Sequence, residues 1–302
     1  MQDVAGKTAF ITGGANGVGF GMATVFAEAG MKVVIADIRG QDLELALARL
    51  HAHAGSVHAI RLDVTDRAAM AAAADEAERV FGKLHLLCNN AGINVFGDLD
   101  QASFDDYDWI FGVNLFGVIN GIVTFLPKLK AHGEPAHIVN TASMASIVSG
   151  PGAGVYTAAK FAVRGLSECL WYALAPQGIG VSVLCPGLVD SKIHDSESLR
   201  PTRYSHSGYH ADPEFAARLE QVQHLGMAPR EVAEKTLRGI RNNELYIFPH
   251  ADHREEVREL FDEILGAFPD ETPDPERFAF ERVRQSLKAE VRARGIEVLK
   301  NR

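Results

Sequence analysis

The sequence predicts an α/β protein built on a doubly wound sheet of seven parallel strands. Two observations favour this fold class. Short β-rich runs alternate along the chain with segments in which apolar residues recur at spacings of three and four, as on one face of a helix. The β-rich runs are apolar almost throughout, which is typical of parallel strands covered by helices on both faces. We therefore expect ligands to lie beyond the carboxyl ends of the strands.

The predicted strands can be followed in chain order. They are KTAFIT, MKVVIAD, VHAIRLDV, LHLLCNN, AHIVNTAS, VSVLCPG and ELYIFP. Helical periodicity is clear in FGMATVFAEAG and QDLELALARLHAH, which follow the first two strands. Periodicity is weak from Val189 to Met227, in a stretch rich in Ser, His, Tyr, Arg and Pro. We expect an insertion at 190–228 that covers the ligand as a lid or specificity loop.

The C-terminal segment predicts a helical extension rather than a second sheet domain. PDETPDPE divides this segment into two helices, and each helix has an apolar stripe. The stripes consist of Val257, Leu260, Phe261, Ile264, Leu265 and Phe268 in the first helix, and of Phe280, Val283, Leu287 and Val291 in the second. We divide the chain into a domain at 1–250, which contains the insertion, and an extension at 251–302.

Composition and charge argue against several classes of protein. With 302 residues and 47% hydrophobic side chains, the chain can bury a substantial core without disulfides. A formal net charge of −9, with no cluster of five Lys or Arg, argues against nucleic acid as a partner. Cys88, Cys169 and Cys185 are far apart and have no metal-ligand spacing, so we expect buried free thiols in a reducing cytoplasm.

Two segments bear on location. The N-terminus MQDVAGKTAF is acidic at Asp3 and leads directly into a strand, unlike an export signal, which favours a cytoplasmic protein. WIFGVNLFGVINGIVTFLP has no charge over 19 residues, close to the length that crosses a bilayer. Its amides, Asn114 and Asn120, and its glycines suit a helix buried between protein surfaces. We therefore expect no membrane span, with a spanning helix as the alternative.

A glycine-rich turn follows the first strand. In TGGANGVG, the residues Gly13, Gly17 and Gly19 are spaced G-x-x-x-G-x-G and a helical segment begins there. Glycines allow a tight turn and a close approach of the backbone to a pyrophosphate, and a helix N-terminus offers free N–H groups to the anion. We predict a dinucleotide site that also includes Asn16 and Val18; a plain β-to-α turn is the alternative.

The end of the second strand predicts which dinucleotide binds. Asp37 lies 24 residues after Gly13, where a carboxylate accepts hydrogen bonds from ribose hydroxyls and repels a 2′-phosphate. NAD is therefore favoured over NADP, although the guanidinium of Arg39 could reach a 2′-phosphate. Asp63 follows the third strand and is placed to meet the adenine amino group, next to Val64 in the same predicted site; a strand-end cap is the alternative for Asp63.

These motifs occur in the order found in one enzyme family. TGGANGVG, Asp37, NNAG at 89–92, Asn114, Ser143, YTAAK and PG at 186–187 resemble the short-chain dehydrogenases/reductases, over residues 5–250. The resemblance implies a Rossmann-type sheet and a catalytic set of Asn114, Ser143, Tyr156 and Lys160. It also implies cofactor contacts from Asn90, Ala91, Gly92, Tyr156, Lys160, Pro186, Gly187, Val189 and Ser191, the last in place of the family's usual Thr.

Tyr156 and Lys160 are four residues apart in GVYTAAKFAV, on one face of a predicted helix. Oxidation of a secondary alcohol needs a base at the hydroxyl proton, and an unaided tyrosine, with a reference pKa of about 10, is a poor one. We expect the ammonium of Lys160, together with the positive nicotinamide ring of an oxidised cofactor, to favour the phenolate. By resemblance, Lys160 also holds the nicotinamide ribose.

Ser143 and Asn114 each have a structural alternative. Ser143 follows the fifth strand, where its hydroxyl can hold the substrate oxygen; otherwise it caps a turn in TASMAS. By resemblance, Asn114 binds a water through its backbone carbonyl at a local helix kink and completes a proton relay with Lys160. The alternative for Asn114 is a buried amide that cross-links the core.

The insertion contains histidines and tyrosines that could serve several roles. His206 and His210 are four residues apart, as some metal ligands are, but no third ligand is apparent nearby and we predict no metal site. Together with Tyr204 and Tyr209, they line or cover the substrate pocket, or else they belong to the loop surface.

The sequence therefore predicts an NAD-dependent oxidoreductase that acts on a secondary alcohol or its ketone. TAFITGGANGVG, VVIADIRG, IRNNELYIFPH and the extended tail of acidic and basic residues look similar to bacterial Cα-dehydrogenases of lignin-derived aryl ethers. This resemblance implies a bulky or aromatic alcohol. The alternatives are an NADP-dependent carbonyl reductase and a dinucleotide-binding sensor without turnover. Because family members are usually dimers or tetramers, we expect a homodimer or homotetramer whose interface includes the uncharged 109–127 helix and FAVRGLSECLWYAL.

Overall fold

The computed structural model describes residues 1–209, 217–218 and 221–301, and a seven-stranded parallel sheet forms its centre. The strands are β1 Thr8–Thr12, β2 Lys32–Asp37, β3 Val57–Arg61, β4 Leu86–Asn89, β5 Ala136–Thr141, β6 Ile179–Leu184 and β7 Tyr246–Ile247. Their order is β3-β2-β1-β4-β5-β6-β7, so the winding reverses between β1 and β4. The predicted doubly wound fold is confirmed, and its switch point is where such sheets bind ligands.

Helices cover both faces of the sheet. They are α1 Gly17–Glu28, α2 Gly40–Arg49, α3 Arg67–Phe81, α4 Phe104–Phe111, α5 Gly117–Ala131, α6 Gly154–Leu174, α7 Pro229–Asn242, α8 Arg254–Gly266 and α9 Pro275–Lys300. On one face, α1, α2 and α7 pack on Ile11 and Ile35. On the other, α3, α5 and α6 pack together, and the rings of Phe10 and Phe125 lie 4.5 Å apart. The strands are buried on both sides, which explains their continuous apolar character.

Local sequence signals set the helix ends near the site. The Asp66 carboxylate caps α3 by accepting from the N–H groups of Ala68 and Ala69, both at 2.9 Å, and the helix ends at Gly82 with φ +80°. At the start of α4, Ser103 and Asp106 form a capping box in which each side chain accepts from the other residue's backbone N–H. These caps satisfy amides that the first turns leave without helical partners.

The uncharged segment is one long helix in which a π-helical turn, Gly112–Phe116, joins α4 to α5. The whole helix, Phe104–Ala131, is long and apolar enough to cross a membrane, but half of its most apolar window is buried inside the molecule. The Asn120 amide donates to the carbonyl of Val64 at 2.9 Å, and Phe125 is fully buried on the sheet. The helix therefore packs as a core helix of this fold.

The described part of the insertion contains short turns, and residues 217–218 and 221–223 are helical. Ile193–Leu199 and Thr202–Tyr204 are 3₁₀-helical, and Val189 pairs with Met227 as an isolated bridge. Residues 210–216 and 219–220, which include His210, lie outside the described residues.

The C-terminal extension has the two expected helices, α8 and α9. Most residues of their apolar stripes face solvent, as Phe261, Leu265 and Leu287 show with exposed fractions of 44%, 64% and 58%, whereas Val257 packs against a core cluster. Towards its end, α9 joins the body of the protein, where Gly295 and Leu299 are buried. The division of the chain at residue 250 stays a prediction.

The expectation of three buried thiols is wrong for Cys169. Cys88 and Cys185 are buried, whereas Cys169 is exposed on α6. This helix buries the face that carries Ser167 and Trp171, and a residue two positions from each of them lies on the opposite face.

Candidate active site

A cavity of about 500 Å³ opens at the carboxyl ends of the strands. Its wall contains most of the predicted site residues, namely Gly13, Asn16, Gly17, Val18, Asp37, Arg39, Asp63, Val64, Asn90, Ala91, Gly92, Ser143, Tyr156, Lys160, Pro186, Gly187, Val189 and Ser191. Of the predicted set, Gly19 and Asn114 lie behind the wall. Residues scattered over half of the sequence thus meet at one edge of the sheet, as its parallel topology requires.

The glycine turn after β1 has a conformation that suits only glycine at two positions. Gly13 and Gly17 have φ of +62° and +49°, in the left-handed region that other residues rarely adopt. A Cβ on Gly13 would lie 2.9 Å from the Cα of Ala91, and one on Gly19 would collide with the carbonyl of Gly13. Gly19 therefore lets α1 pack directly on the turn, without lining the cavity itself.

The N-terminus of α1 points backbone amides at the cavity wall. The residue that precedes the helix, Asn16, makes no side-chain cap; its amide instead donates to the Asp42 carboxylate at 2.7 Å. The first N–H groups of a helix have no intrahelical acceptors, and the helix dipole adds partial positive charge there. This end of α1 fits the pyrophosphate of a dinucleotide.

Asp37 ends β2 on the cavity wall and is 7% exposed. Its carboxylate accepts from the N–H of Ala15 at 3.3 Å and from the N–H of Arg39 at 3.1 Å, which fixes its direction. The Arg39 guanidinium lies 3.0 Å from Asp42 and 3.7 Å from Asp37. Arg39 is thus held between two carboxylates, where a 2′-phosphate would meet both negative charges.

Asp63 fits both of its interpretations. The side chain accepts from the backbone N–H of Thr65 at 2.9 Å and from its hydroxyl at 2.8 Å, so it does cap the end of the strand segment. It also lines the cavity beside Val64.

Asn90 cross-links the loop after β4 to the glycine turn. Its amide donates to the carbonyls of Thr12 at 3.2 Å and Gly13 at 3.3 Å. The Thr12 hydroxyl in turn accepts from the N–H groups of Asn90 and Ala91. Two cavity loops are therefore braced against each other, and Asn90 has a structural role as well as a place on the cavity wall.

Ser143, Tyr156 and Lys160 meet on one wall of the cavity. The Ser143 hydroxyl lies close enough to the Tyr156 phenol to favour its phenolate, and it accepts from the N–H of Ala145 at 3.1 Å. Ser143 is thus a turn cap and a partner of the tyrosine at once. Lys160 is buried, its Nζ donates to the carbonyl of Thr141 at 2.9 Å, and this Nζ lies 5.4 Å from the centre of the Tyr156 ring.

Burial changes the pKa of both residues of the pair. The Tyr156 pKa is raised above its ordinary value because burial disfavours the phenolate, and the hydrogen bond from Ser143 opposes this only in part. Burial also lowers the pKa of Lys160 to about 8. The lysine is therefore mostly charged at neutral pH, but close enough to its pKa to exchange a proton. That Lys160 favours the phenolate stays a prediction.

Asn114 lies in the π-helical turn at the predicted kink and is fully buried. Its side-chain amide donates to the carbonyl of Ile93 at 2.8 Å and accepts from the N–H of Ile93 at 3.1 Å. The side chain therefore cross-links the helix to the loop after β4, which was the structural alternative. A Cβ on Gly92 would come within 2.8 Å of the Asn114 Oδ1 and 3.5 Å of the Lys160 Nζ, so the three residues are immediate neighbours.

Another part of the cavity wall is apolar and aromatic, and sequence analysis missed it. It contains Phe96, Trp109, Val113, Ala145, Ala153, Ile193, Leu199 and Pro201, with Lys192 and Arg203 as its cations. Trp109 comes from the apolar helix, and the last three apolar residues come from the insertion. The wall residues have no motif spacing. Sequence analysis therefore indicated this wall only through the prediction that the insertion covers the ligand.

A buried ion pair ties the insertion to α4. The Arg200 guanidinium lies 3.0 Å from the Asp106 carboxylate and 4.6 Å from the centre of the Trp109 ring, and Asp106 is fully buried. Asp106 also accepts from the Ser207 hydroxyl at 2.6 Å and from the N–H of Gly208 at 2.9 Å. The capping residue of α4 thus anchors both ends of the loop segment that covers the cavity.

His250 braces the PG segment after β6. Its Nδ1 accepts from the N–H of Gly187 at 3.0 Å, so its Nε2, 2.9 Å from the carbonyl of Leu188, carries the proton that this carbonyl accepts.

The insertion's own aromatic and histidine residues take different positions. Tyr209 is buried beneath the cavity region, in a cluster that also includes Tyr204, whereas His206 is exposed beside Asp105. Within residues 1–209, 217–218 and 221–301, no group of His, Cys, Asp and Glu side chains has the arrangement of a metal site.

Comparisons with known proteins agree with this geometry. A family model described as short chain dehydrogenase matches residues 7–201. A C alpha-dehydrogenase from Sphingobium sp. strain SYK-6 is 44% identical over 277 residues, which cover 91% of each chain.

Solved structures share both the fold and much of the sequence. A short-chain dehydrogenase/reductase from Burkholderia phymatum, in complex with NAD, superposes with a TM-score of 0.84 at 36% identity, over 91% of this chain and 99% of that one. The apo form of LigD from Sphingobium sp. strain SYK-6 gives 0.75 at 40% identity, over 89% and 100%. With the family model covering most of the chain, the protein belongs to the short-chain dehydrogenase/reductase family of oxidoreductases.

Proposed function

We propose that this protein transfers a hydride between NAD and a secondary alcohol or ketone, with Tyr156 as the acid/base. The observation that carries the proposal is the position of Ser143, Tyr156 and Lys160 on one wall of a cavity that also contains the glycine turn and Asp37. One end of this cavity can hold a dinucleotide, and the other can hold an apolar alcohol.

The cavity residues fit a nicotinamide dinucleotide. The positive φ angles of the glycine turn and the uncapped end of α1 leave backbone N–H groups for a pyrophosphate. When bound, the nicotinamide supplies the hydride acceptor or donor. We infer that the adenosine half contacts Asp37, Asp63 and Val64, that Asn90, Ala91 and Gly92 lie along the ribose, and that Pro186, Gly187, Val189 and Ser191 hold the nicotinamide.

In alcohol oxidation, the Tyr156 phenolate takes the proton of the substrate hydroxyl. The Ser143 hydroxyl, already a partner of the phenol, donates a hydrogen bond to the substrate oxygen as negative charge develops there. Lys160 carries positive charge in the buried site and passes the proton towards solvent through a water that the backbone carbonyl of Asn114 would hold. In ketone reduction, the same groups act in reverse and Tyr156 starts protonated.

NAD is the proposed cofactor because Asp37 and Asp42 place two carboxylates around the guanidinium of Arg39. A 2′-phosphate would have to displace one of these ion pairs. The relative from Burkholderia phymatum was solved with NAD. An NADP-dependent carbonyl reductase is the alternative, in which Arg39 turns to the phosphate.

The proposed substrate is a bulky alcohol with an aromatic group. Phe96, Trp109 and Leu199 give its end of the cavity flat and apolar surfaces, which bind an aryl ring better than a short aliphatic chain. The Sphingobium relative carries the name C alpha-dehydrogenase, which supports an alcohol carbon beside an aromatic ring.

The test combines a substrate panel with cofactor binding. The protein is mixed with NAD or NADP and with secondary alcohols of matched size, aryl or aliphatic, while the reduced-nicotinamide absorbance is recorded. We expect turnover with NAD on the aryl alcohols, and tighter binding of NADH than of NADPH. Preference for NADPH would favour the carbonyl reductase, and NADH binding without turnover of any alcohol would favour a sensor.

A further inference from the structure

The C-terminal helices α8 and α9 carry more large apolar side chains exposed to solvent, for their length, than the rest of the described surface. On α8, Ile264 and Leu265 are 47% and 64% exposed, and on α9, Phe280 and Val283 are 67% and 58% exposed. Soluble monomers rarely leave such side chains uncovered in continuous stripes, and stripes of this kind mark interaction surfaces.

The stripe on α9 is separate from the face by which this helix joins its own chain. Lys288 and Arg292 lie over the rings of Tyr172 and Trp171, at 5.7 Å and 5.6 Å. A second stripe, formed by Phe280, Val283, Leu287 and Val291, follows spacings of three and four and so lies along another side of the helix. The body of the protein therefore leaves this stripe uncovered.

The two helices differ in charge. The α8 helix has five acidic and two basic residues, and the linker after it adds Asp270, Glu271 and Asp274. The α9 helix has seven basic and four acidic residues. Within the described chain, Arg282 and Arg294 of α9 have no carboxylate partner, whereas Arg258 and Arg284 pair within their own helices. An acidic apolar helix and a basic apolar helix are complementary surfaces.

We propose that α8 and α9 are the docking surface for a second copy of this chain, with α8 of one copy packed on α9 of the other. Both complementary surfaces occur on every copy, so a two-fold arrangement forms the α8–α9 contact twice and covers all four stripes. Apolar burial supplies the free energy, and the opposite charges select α8 against α9 over pairing of like helices. Each stripe is a narrow row of apolar residues along one side of its helix. A row of this shape packs better against another helix than against a flat surface.

Cross-linking between differently tagged copies tests this pairing. Copies with Phe261→Cys on α8 and copies with Leu287→Cys on α9 are co-expressed, purified through both tags and treated with a short bismaleimide. The background carries Cys169→Ser because Cys169 is exposed, whereas Cys88 and Cys185 are buried. A link between positions 261 and 287 then joins two copies, since neither chain holds both new thiols. We expect at least five times more mixed cross-link than in the control.

The control pairs Phe261→Cys with Ala289→Cys, which is exposed on another side of α9. Charge reversal by Arg282→Glu and Arg294→Glu in the Leu287→Cys copies should lower the mixed yield at low salt, and added salt should reduce the difference. Equal yields for Leu287→Cys and its control would overturn the proposal, as would a predominant link between two copies of Leu287→Cys. All positions lie outside the cavity, so cofactor binding reports that the variants are folded, whatever the outcome for the proposed catalysis.

Discussion

Lys160 is a buried cation whose pKa is lowered to about 8, and this predicts a pH-dependent stability. In the unfolded chain its pKa returns to about 10.4. Between these values the unfolded state binds more protons, so the contribution of Lys160 to the free energy of unfolding rises with pH. Over pH 7.5 to 9.5 this increase is about 2 kcal/mol.

The variant Lys160→Met removes this titration. Urea unfolding of the wild-type protein and the variant at both pH values should show the wild type gaining about 2 kcal/mol relative to the variant as pH rises. The comparison within each pH removes the effects of all other groups. A wild-type-to-variant difference that does not change with pH would contradict a lowered pKa for Lys160.

Each of the predicted site residues has a local sequence signal that indicates its position in the fold. Gly13 and Gly17 need positive φ, and Asp37 and Ser143 follow strands, so spacing alone indicates their place. Trp109 has no such signature, because its place on the wall depends on how the apolar helix packs. The pKa of Tyr156 could not be predicted either, since it follows from burial that only the folded structure establishes.

The 3₁₀ segment Ile193–Leu199 covers the cavity, and the Arg200–Asp106 ion pair holds it there. We expect Arg200→Met to loosen the segment while Asp106 keeps its hydrogen bonds from Ser207 and Gly208. The KM for the alcohol should rise about tenfold, corresponding to about 1.4 kcal/mol, with the NADH dissociation constant within twofold of wild type. Steady-state kinetics and hydrogen exchange over 193–204 measure the two effects.

Arg230→Met is the matched control, since it removes an exposed ion pair with Glu28 on α1 and lies outside the 193–204 segment. It should leave both measurements unchanged. If the KM and the exchange rates of Arg200→Met also stay at wild-type values, the ion pair does not hold the loop.

The helices and strands themselves were predictable because their periodicity is local. The exceptions are informative. An isolated bridge between Val189 and Met227 joins the two ends of the insertion. No periodicity in the sequence indicates this bridge, because both stretches are irregular. The π-helical turn Gly112–Phe116 also has no sequence signature of its own, and only the resemblance predicted a kink there.

The two ends of the domain meet where α1 packs against α7. Gly21 of α1 lies so close to the start of α7 that a Cβ would collide with the carbonyl of Pro229. We expect Gly21→Ala to lower the free energy of unfolding by about 2 kcal/mol, because overpacking here must move a helix. Gly40→Ala is the control, since nothing lies within 4 Å of its added Cβ. Denaturant unfolding that finds the two variants equally stable would contradict this packing.

The doubly wound architecture of the whole sheet was predictable because apolar strands alternate with helices along the chain. The strand order β3-β2-β1-β4-β5-β6-β7 was not part of that prediction and comes from the structure. What could not be predicted is which surfaces stay uncovered. The stripes on α8 and α9 look in the sequence like any core-facing helix, and only the structure shows that Phe261 and Leu287 face solvent.

The central claim is that Tyr156 moves the substrate proton in a cavity that otherwise binds NAD. Tyr156→Phe deletes one oxygen and keeps the ring in its packed cluster. The most direct measurement is kcat of this variant with NAD and the best alcohol of the panel, beside the dissociation constant for NADH from calorimetry. We predict a loss in kcat of about 10²- to 10⁴-fold with NADH binding nearly unchanged. A variant that keeps wild-type kcat would contradict the assignment of Tyr156 as the acid/base.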